Sequence, residues 1–227
     1  RVAAGAIAKL LLNELNIDIK SGICEIDGIK ADNFNFENAR NSEIFALDSN
    51  VEDAQKNAIL KAKNSHNSVG GVALINVKNC PVGLGEPIYH KLDAQIANAM
   101  MSINAVKAVE IGDWILASRV LGFDNNDQIR KSGFKTNHSG GILGGISNGD
   151  DINVKVYFKA TPSIFIEQET VDIYGNEVEC KLKGRHDPCV AIRGSVVAES
   201  MTALVLVDML LLNMSSKVEN IKKVYAK

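Results

Sequence analysis

Six consecutive residues carry the densest chemistry in the chain: Gly184, Arg185, His186, Asp187, Pro188 and Cys189. A cation, an imidazole, a carboxylate and a thiol stand between a glycine that frees the backbone and a proline that fixes it, an arrangement that presents polar groups at a site. An ordinary polar turn is the plain alternative, because Gly, Asp and Pro are the common turn residues. Arg185 is suited to holding an anion, and Asp187 to acting as acid or base or to closing a structural ion pair. A metal site would need more than one His and one Asp, with His138 the available third ligand. Nucleophilic chemistry at Cys189 would need a partner base, and its place beside an apolar run favours a packed thiol. His66 and His90 stand in polar surroundings and read as incidental.

A second candidate is Asn137–Gly149, with glycines at 140, 141, 144, 145 and 149 around Ile142, Leu143 and Ile146. Such a segment can bring backbone N–H groups close to a ligand, or can be a close-packed turn. It is neither the dinucleotide fingerprint, since no strand feeds directly into a G-x-G-x-x-G helix start, nor a phosphate loop ending in Gly-Lys-Ser/Thr. Lys159–Ser163 adds a lysine, two hydroxyls and a proline.

These groups need elements to hold them. Val2, Ala6, Ile7, Leu10, Leu11 and Leu15 recur at helical spacing and predict a first helix with that face turned inward, ending near Asn16. Ile17 to Ile26 reads as a strand with an irregularity at Ser21-Gly22. Residues 31–50, rich in Asn, Asp, Glu and Ser, read as a surface excursion. Helix returns at Val51–Lys63, then a strand at Gly70–Val77, a turn-rich loop at Pro81–Pro87 and a helix through Leu92, Ile96, Ala99 and Met100. Ala105–Ile111 predicts a strand, and Asp113–Thr136 an irregular stretch anchored by Trp114, Phe123 and Phe134. Ile152, Val154, Val156 and Phe158 alternate as in a half-buried strand. Val196–Leu212 predicts a buried helix, interrupted by Glu199, Ser200, Thr202 and Asp208 and so not a membrane span.

The chain's 227 residues suffice for one α+β domain, and no repeat or linker divides it. A net charge of −2 implies no general attraction to nucleic acid or membrane, so any bound anion must meet a local cationic cluster. Cys24, Cys80, Cys180 and Cys189 are scattered, which signals neither zinc nor a disulfide framework and fits free thiols in a reducing compartment. No secretory leader is expected. The opening Arg-Val-Ala-Ala-Gly is already helical in pattern and lacks an initiator Met, as in the remainder of a longer protein.

Several blocks in order make the chain resemble the chorismate synthase family along almost its whole length. They are RVAAGAIAK at 1–9, PVGLGEPIYHKL at 81–92, AMMSINAVKAVEIG at 99–112, NHSGGILGGISNG at 137–149, KATPSI at 159–164, GRHDPC at 184–189 and ESMTALVLVD at 199–208. The resemblance implies a β-α-β sandwich of the α+β class, with helices between antiparallel sheets, in a single domain over 1–227 that lacks the family's amino-terminal part. It also implies a cytoplasmic homotetramer that uses reduced FMN, with NADPH as a reductant. The implied reaction is conversion of 5-enolpyruvylshikimate 3-phosphate to chorismate and phosphate by anti-1,4-elimination, the last step of the shikimate pathway. It carries no metal.

The resemblance places flavin contacts on Asn104, Ala105, Gly144, Lys159, Ala160, Thr161, Pro162, Ser163 and Arg185. It places a substrate contact on Arg1, and on Asp187 a proton-handling role near flavin N5. Ala160 stands where the family commonly has Pro, and Trp114 where it usually has Gly. The family's two catalytic histidines lie in its amino-terminal third, so neither His138 nor His186 takes their role. Two other readings remain at this point: a flavin- or phosphate-ligand-binding module without turnover, and a structural fragment.

Overall fold

The computed structural model describes residues 1–226, the Trp114 side chain excepted, so the anchoring expected of Trp114 lies outside the described residues. The chain runs α1 (Val2–Glu14), β1 (Asp18–Ile26), β2 (Ile29–Lys30), α2 (Phe36–Asn41), α3 (Ser49–Asn64), β3 (Gly71–Lys78), α4 (Leu92–Met101) and β4 (Val106–Ile111). It continues through α5 (Trp114–Ala117), α6 (Gly122–Asn125), β5 (Ile129–Arg130), β6 (Gly133–Phe134), β7 (Ile142–Leu143), β8 (Ile146–Ser147) and β9 (Ile152–Phe158). Last come β10 (Gln168–Val171), β11 (Glu177–Cys180), α7 (Ala191–Ser215) and α8 (Val218–Tyr225).

The fold is α+β, as expected. Five strands pair in the order β2-β1-β3-β9-β4, antiparallel at every junction. Alternation decides which side chains go where. Ile152, Val154, Val156 and Phe158 on β9 and Ala73, Ile75 and Val77 on β3 enter the main core, which α1, α4 and α7 close from one side. Val72 and Leu74 point the other way, to a smaller cluster with Cys24, Ala39 and Leu47.

The long helix α7 crosses the sheet's centre, extending the predicted Val196–Leu212 at both ends. It is long and apolar enough to cross a membrane by length and composition, yet Gly194, Ala198, Ala203, Leu206 and Met209 are buried against the rest of the fold. Its buried hydroxyls bond back along the helix, Ser200 to Val196 O at 2.8 Å and Thr202 to Ala198 O at 3.0 Å, so they are polar without being unpaired.

Three expectations are corrected. In α1 the buried residues are Gly5, Ala8 and Leu12, while the stripe expected to face inward is exposed, Ile7 at 70%. The reason is tertiary. A Cβ on Gly5 would stand 2.4 Å from Ser200 Cβ, so α1 meets α7 at a distance that only small residues allow. Residues 31–50 are not a mere excursion either. α2 and the buried Ile44, Ala46 and Leu47 pack against the sheet, with Ile23 N donating to Phe45 O at 2.7 Å and Leu47 N to Ile23 O at 3.0 Å. Finally, Gly22 stays in register opposite Leu74 and makes room for Leu47, and the register shift falls between Ile23 and Glu25. The Asp113–Thr136 stretch contains the two short helices and the β5–β6 ladder, tied down where Asp127 accepts from Thr136 Oγ1 and from the His138 and Ser139 N–H groups at 2.7, 2.7 and 2.9 Å.

Candidate functional site

Strand pairing brings the first two segments together. Val106 stands opposite Phe158, so Asn104-Ala105 before β4 meets Lys159 after β9, and Lys159 N donates to Ala105 O at 2.9 Å. Ala105 takes a left-handed backbone, φ 71°, a conformation that costs a non-glycine residue about 1–2 kcal/mol. The connector between α3 and β3 draws in the third segment: Ser68 Oγ donates to Thr161 O at 2.6 Å, and Val69 N to Pro188 O at 2.8 Å. The Phe165 ring lies between His66 and His186, with centroids 6.2 and 5.3 Å away. Residues 159–163 and 184–189 therefore meet at one end of the sheet.

Arg1 arrives at the same end from α1, its Nη2 donating to Ser102 O at 2.9 Å. Arg1, Ile103, Asn104, Phe158, Arg193 and Gly194 line a cavity of about 350 Å³ beside the first turns of α7. Two guanidiniums thus face one concavity. Arg193 Nη1 lies 3.2 Å from Asp187 Oδ2, so the carboxylate's partner is an arginine six residues on, and not Arg185, which is exposed. Sequence reasoning missed Arg193. Its only signal is a place in the first turn of α7, which the predicted start at Val196 left out.

Two buried polar atoms in this region have no hydrogen-bond partner among the described residues, Thr161 Oγ1 and His186 Nε2. Leaving such a group unpaired costs about 1–3 kcal/mol, which a ligand supplying the missing partner would recover. With the cationic groups of the cavity, this donor set suits an anionic cofactor that carries both phosphate and polar ring edges.

Gly144 stands elsewhere. Gly144 and Gly145 form the two-residue turn joining β7 to β8, both with positive φ, as such hairpin turns require. Gly145 O accepts from Leu92 N at the start of α4, whereas Asn104 follows the helix's end. Ten helical residues put ~15 Å between the two positions. The glycine segment is close-packed: a Cβ on Gly112 would be 2.2 Å from His138 O, and one on Gly140 2.3 Å from Gly112 N.

Neither of the other chemistries is assembled. Cys189 is buried and burial pushes its thiol up, against the Ala191 and Ile192 N–H groups, so it is a neutral packed thiol. His138 pairs with Asp113, Nδ1 to Oδ2 at 2.5 Å, beyond the opposite end of β4 from Asn104. That bond raises the His138 pKa. Among the described residues no three His, Cys, Asp or Glu side chains form a metal-binding group.

Fold and cavity together define an α+β domain whose cleft sets two arginines and an asparagine among apolar walls. A family model for chorismate synthase matches residues 1–211. Chorismate synthase of Aliarcobacter butzleri (strain RM4018) is 82% identical over 227 residues, covering all of this chain and 63% of that protein. That of Sulfurimonas denitrificans is 62% identical over the same span and coverage. A solved structure described as chorismate synthase matches with a TM-score of 0.77 at 31% identity, covering 97% of this chain and 65% of that one. The chain belongs to the chorismate synthase family. It spans about 63% of the length of these curated relatives.

Proposed function

We propose that the protein containing this chain converts 5-enolpyruvylshikimate 3-phosphate to chorismate and phosphate by anti-1,4-elimination, with reduced FMN bound at the cleft. The observation that carries the reading is the gathering of Arg1, Asn104 and the Arg193–Asp187 pair around one cavity. When bound, reduced FMN supplies electron density to the breaking C–O bond and recovers it as the C6 hydrogen is lost.

The residues of this chain bind, orient and move a proton. Arg1 holds a carboxylate or phosphate of the substrate, for which a guanidinium offers paired donors. The Asn104 carboxamide and the backbone at Ala105 serve the polar edge of the ring system. The Lys159–Ser163 run, Ala160 and Pro162 included, contributes the Lys159 ammonium and the Thr161 and Ser163 hydroxyls, and Arg185 adds a cation. Asp187 would hold or hand on the proton beside the bound flavin. Gly144, outside the cavity, is assigned to the cofactor by family resemblance alone. The same reading takes NADPH as the reductant and a cytoplasmic homotetramer as the assembly. A second sheet completing the sandwich would lie on the exposed stripe of α1.

The test is an anaerobic assay of the full-length protein with reduced FMN and substrate, followed by chorismate absorbance. The expected result is chorismate formation with no net consumption of reduced flavin. Flavin binding without chorismate would reduce the protein to a binding module, and absence of both would leave only a structural role.

A further inference from the structure

We propose that Arg193 is a positioning residue that holds the Asp187 carboxylate at the edge of the cavity. The inference rests on the reading of Asp187 as the proton-handling group. Asp187 sits in a segment without regular structure between Gly184 and the helix start, tied down next door where Val69 N donates to Pro188 O, so no helix or strand of its own aims its side chain. Arg193 stands on the opposite kind of support. It belongs to the first turn of a 25-residue helix whose Ala191 and Gly194 are buried, Gly194 so close to Phe158 that a Cβ would stand 2.4 Å from the ring. The helix fixes where the arginine's backbone starts, and the ion pair ties the Asp187 carboxylate to it.

With side chains 68% and 34% exposed, the ion pair contributes little to stability, so removing Arg193 tests its effect on Asp187 without unfolding the domain. Arg193 also lines the cavity with Arg1 and Asn104, so the carboxylate it holds stands beside that cavity. Because Arg185 is exposed and the 3.2 Å contact is made by Arg193, the two arginines divide the work: one is available to an anion, the other to Asp187.

The experiment compares Arg193→Ala, Arg193→Lys, Asp187→Asn and the Ala/Asn double variant in the full-length enzyme. Arg193→Ala is expected to lower kcat by about 10- to 100-fold, with the KM for substrate and the Kd for reduced FMN within about threefold of wild type. The Lys variant should recover part of the loss. Guanidinium ion should restore activity to the Ala variant where potassium at equal concentration does not. In the Asp187→Asn background the arginine substitution should add nothing. In flavin-free protein, amide exchange over 184–189 should speed up in Arg193→Ala while the melting temperature holds.

A wild-type kcat in Arg193→Ala beside a slow Asp187→Asn overturns the positioning role and leaves the Asp187 reading standing. Wild-type turnover in Asp187→Asn overturns the Asp187 reading, and the positioning role with it. A raised KM at unchanged kcat makes Arg193 a substrate holder and overturns the proposal as well.

Discussion

The contact of α1 with α7 turns on one atom that is absent, the Cβ of Gly5. In Gly5→Ala the new methyl would lie 2.4 Å from Ser200 Cβ, 2.6 Å from Ser200 Cα and 2.9 Å from Ser200 O. Ordinary carbon contacts sit at about 3.5–4.0 Å, and two of these three atoms are backbone, so α1 must withdraw by about 1 Å. Overpacking of this kind costs ~1–3 kcal/mol, against ~1 kcal/mol gained in helix propensity. The withdrawal also pulls at a polar lock one turn further on. Lys9 pairs with Glu199, whose other oxygen accepts from Ser21 Oγ at 2.6 Å, joining α1, α7 and β1. Burial lowers the Lys9 pKa even with Asp18 opposing it, so this ammonium is poorly hydrated and depends on its partner.

The expected net loss is up to ~2 kcal/mol, or a melting temperature lower by up to roughly 8 °C for a domain of this size. Thermal and urea unfolding of the full-length protein measure it. Gly122→Ala serves as the control: nothing lies within 4 Å of its Cβ, and it should be neutral or stabilising by up to ~1 kcal/mol. A Gly5→Ala protein that melts at or above wild type would refute the close crossing.

Other consequences follow from the same packing. Gly194→Ala drives a methyl into the Phe158 ring that lines the cavity, so reduced-flavin titration should show affinity weakened by roughly tenfold or more. Burial pushes the Cys24 thiol up to about 12 and the Cys80 thiol to about 11, and Cys189 also upward, so alkylation mapped by mass spectrometry at pH 8 should label the exposed Cys180 first. Equal labelling of Cys189 would contradict the packed-thiol assignment. The bond to Asp113 raises the His138 pKa above its ordinary 6.5, so the pair's stabilisation is fully present below 6.5 and fades as pH rises through the raised value. The melting-temperature gap between wild type and His138→Ala should therefore be widest near pH ~5.5 and narrow above pH ~8; a gap that widens with pH refutes it. For Asp127, burial opposes ionisation, but hydrogen bonds from Ser139, Thr136 and His138 outweigh it and hold the carboxyl at about 2. Its contribution is present above the ordinary carboxylate pKa and lost as pH falls toward 2, so wild type and Asp127→Asn should converge only in strong acid.

The elements legible in the sequence are those whose burial follows their own period. β9 alternates and buries Ile152, Val154, Val156 and Phe158, and α7 carries a long apolar run broken by Glu199, Ser200, Thr202 and Asp208 that reads as a core helix. The face of α1 was not legible, because the inward side is chosen by how near Ser200 comes and not by the size of the apolar residues. The 31–50 stretch misled through its Asn, Asp and Ser content, with the buried Ala39, Ile44, Ala46 and Leu47 at steps of five, two and one that match neither a helical nor a strand period. At the site, the polar cluster of 184–189 stands out by composition, but the neighbourhood of Asn104 with Lys159 depends on β4 pairing with β9. Arg193 as the partner of Asp187 appears only once the helix start at Ala191 is known.

The central claim is that Asp187 moves a proton in the elimination and does not merely hold the flavin. Asp187→Ala in the full-length protein, assayed anaerobically with reduced FMN and 5-enolpyruvylshikimate 3-phosphate, separates the two. Turnover is predicted to fall by about 10²- to 10⁴-fold while the Kd for reduced FMN stays within about threefold. A comparable loss of turnover and flavin affinity, or wild-type turnover, would contradict it.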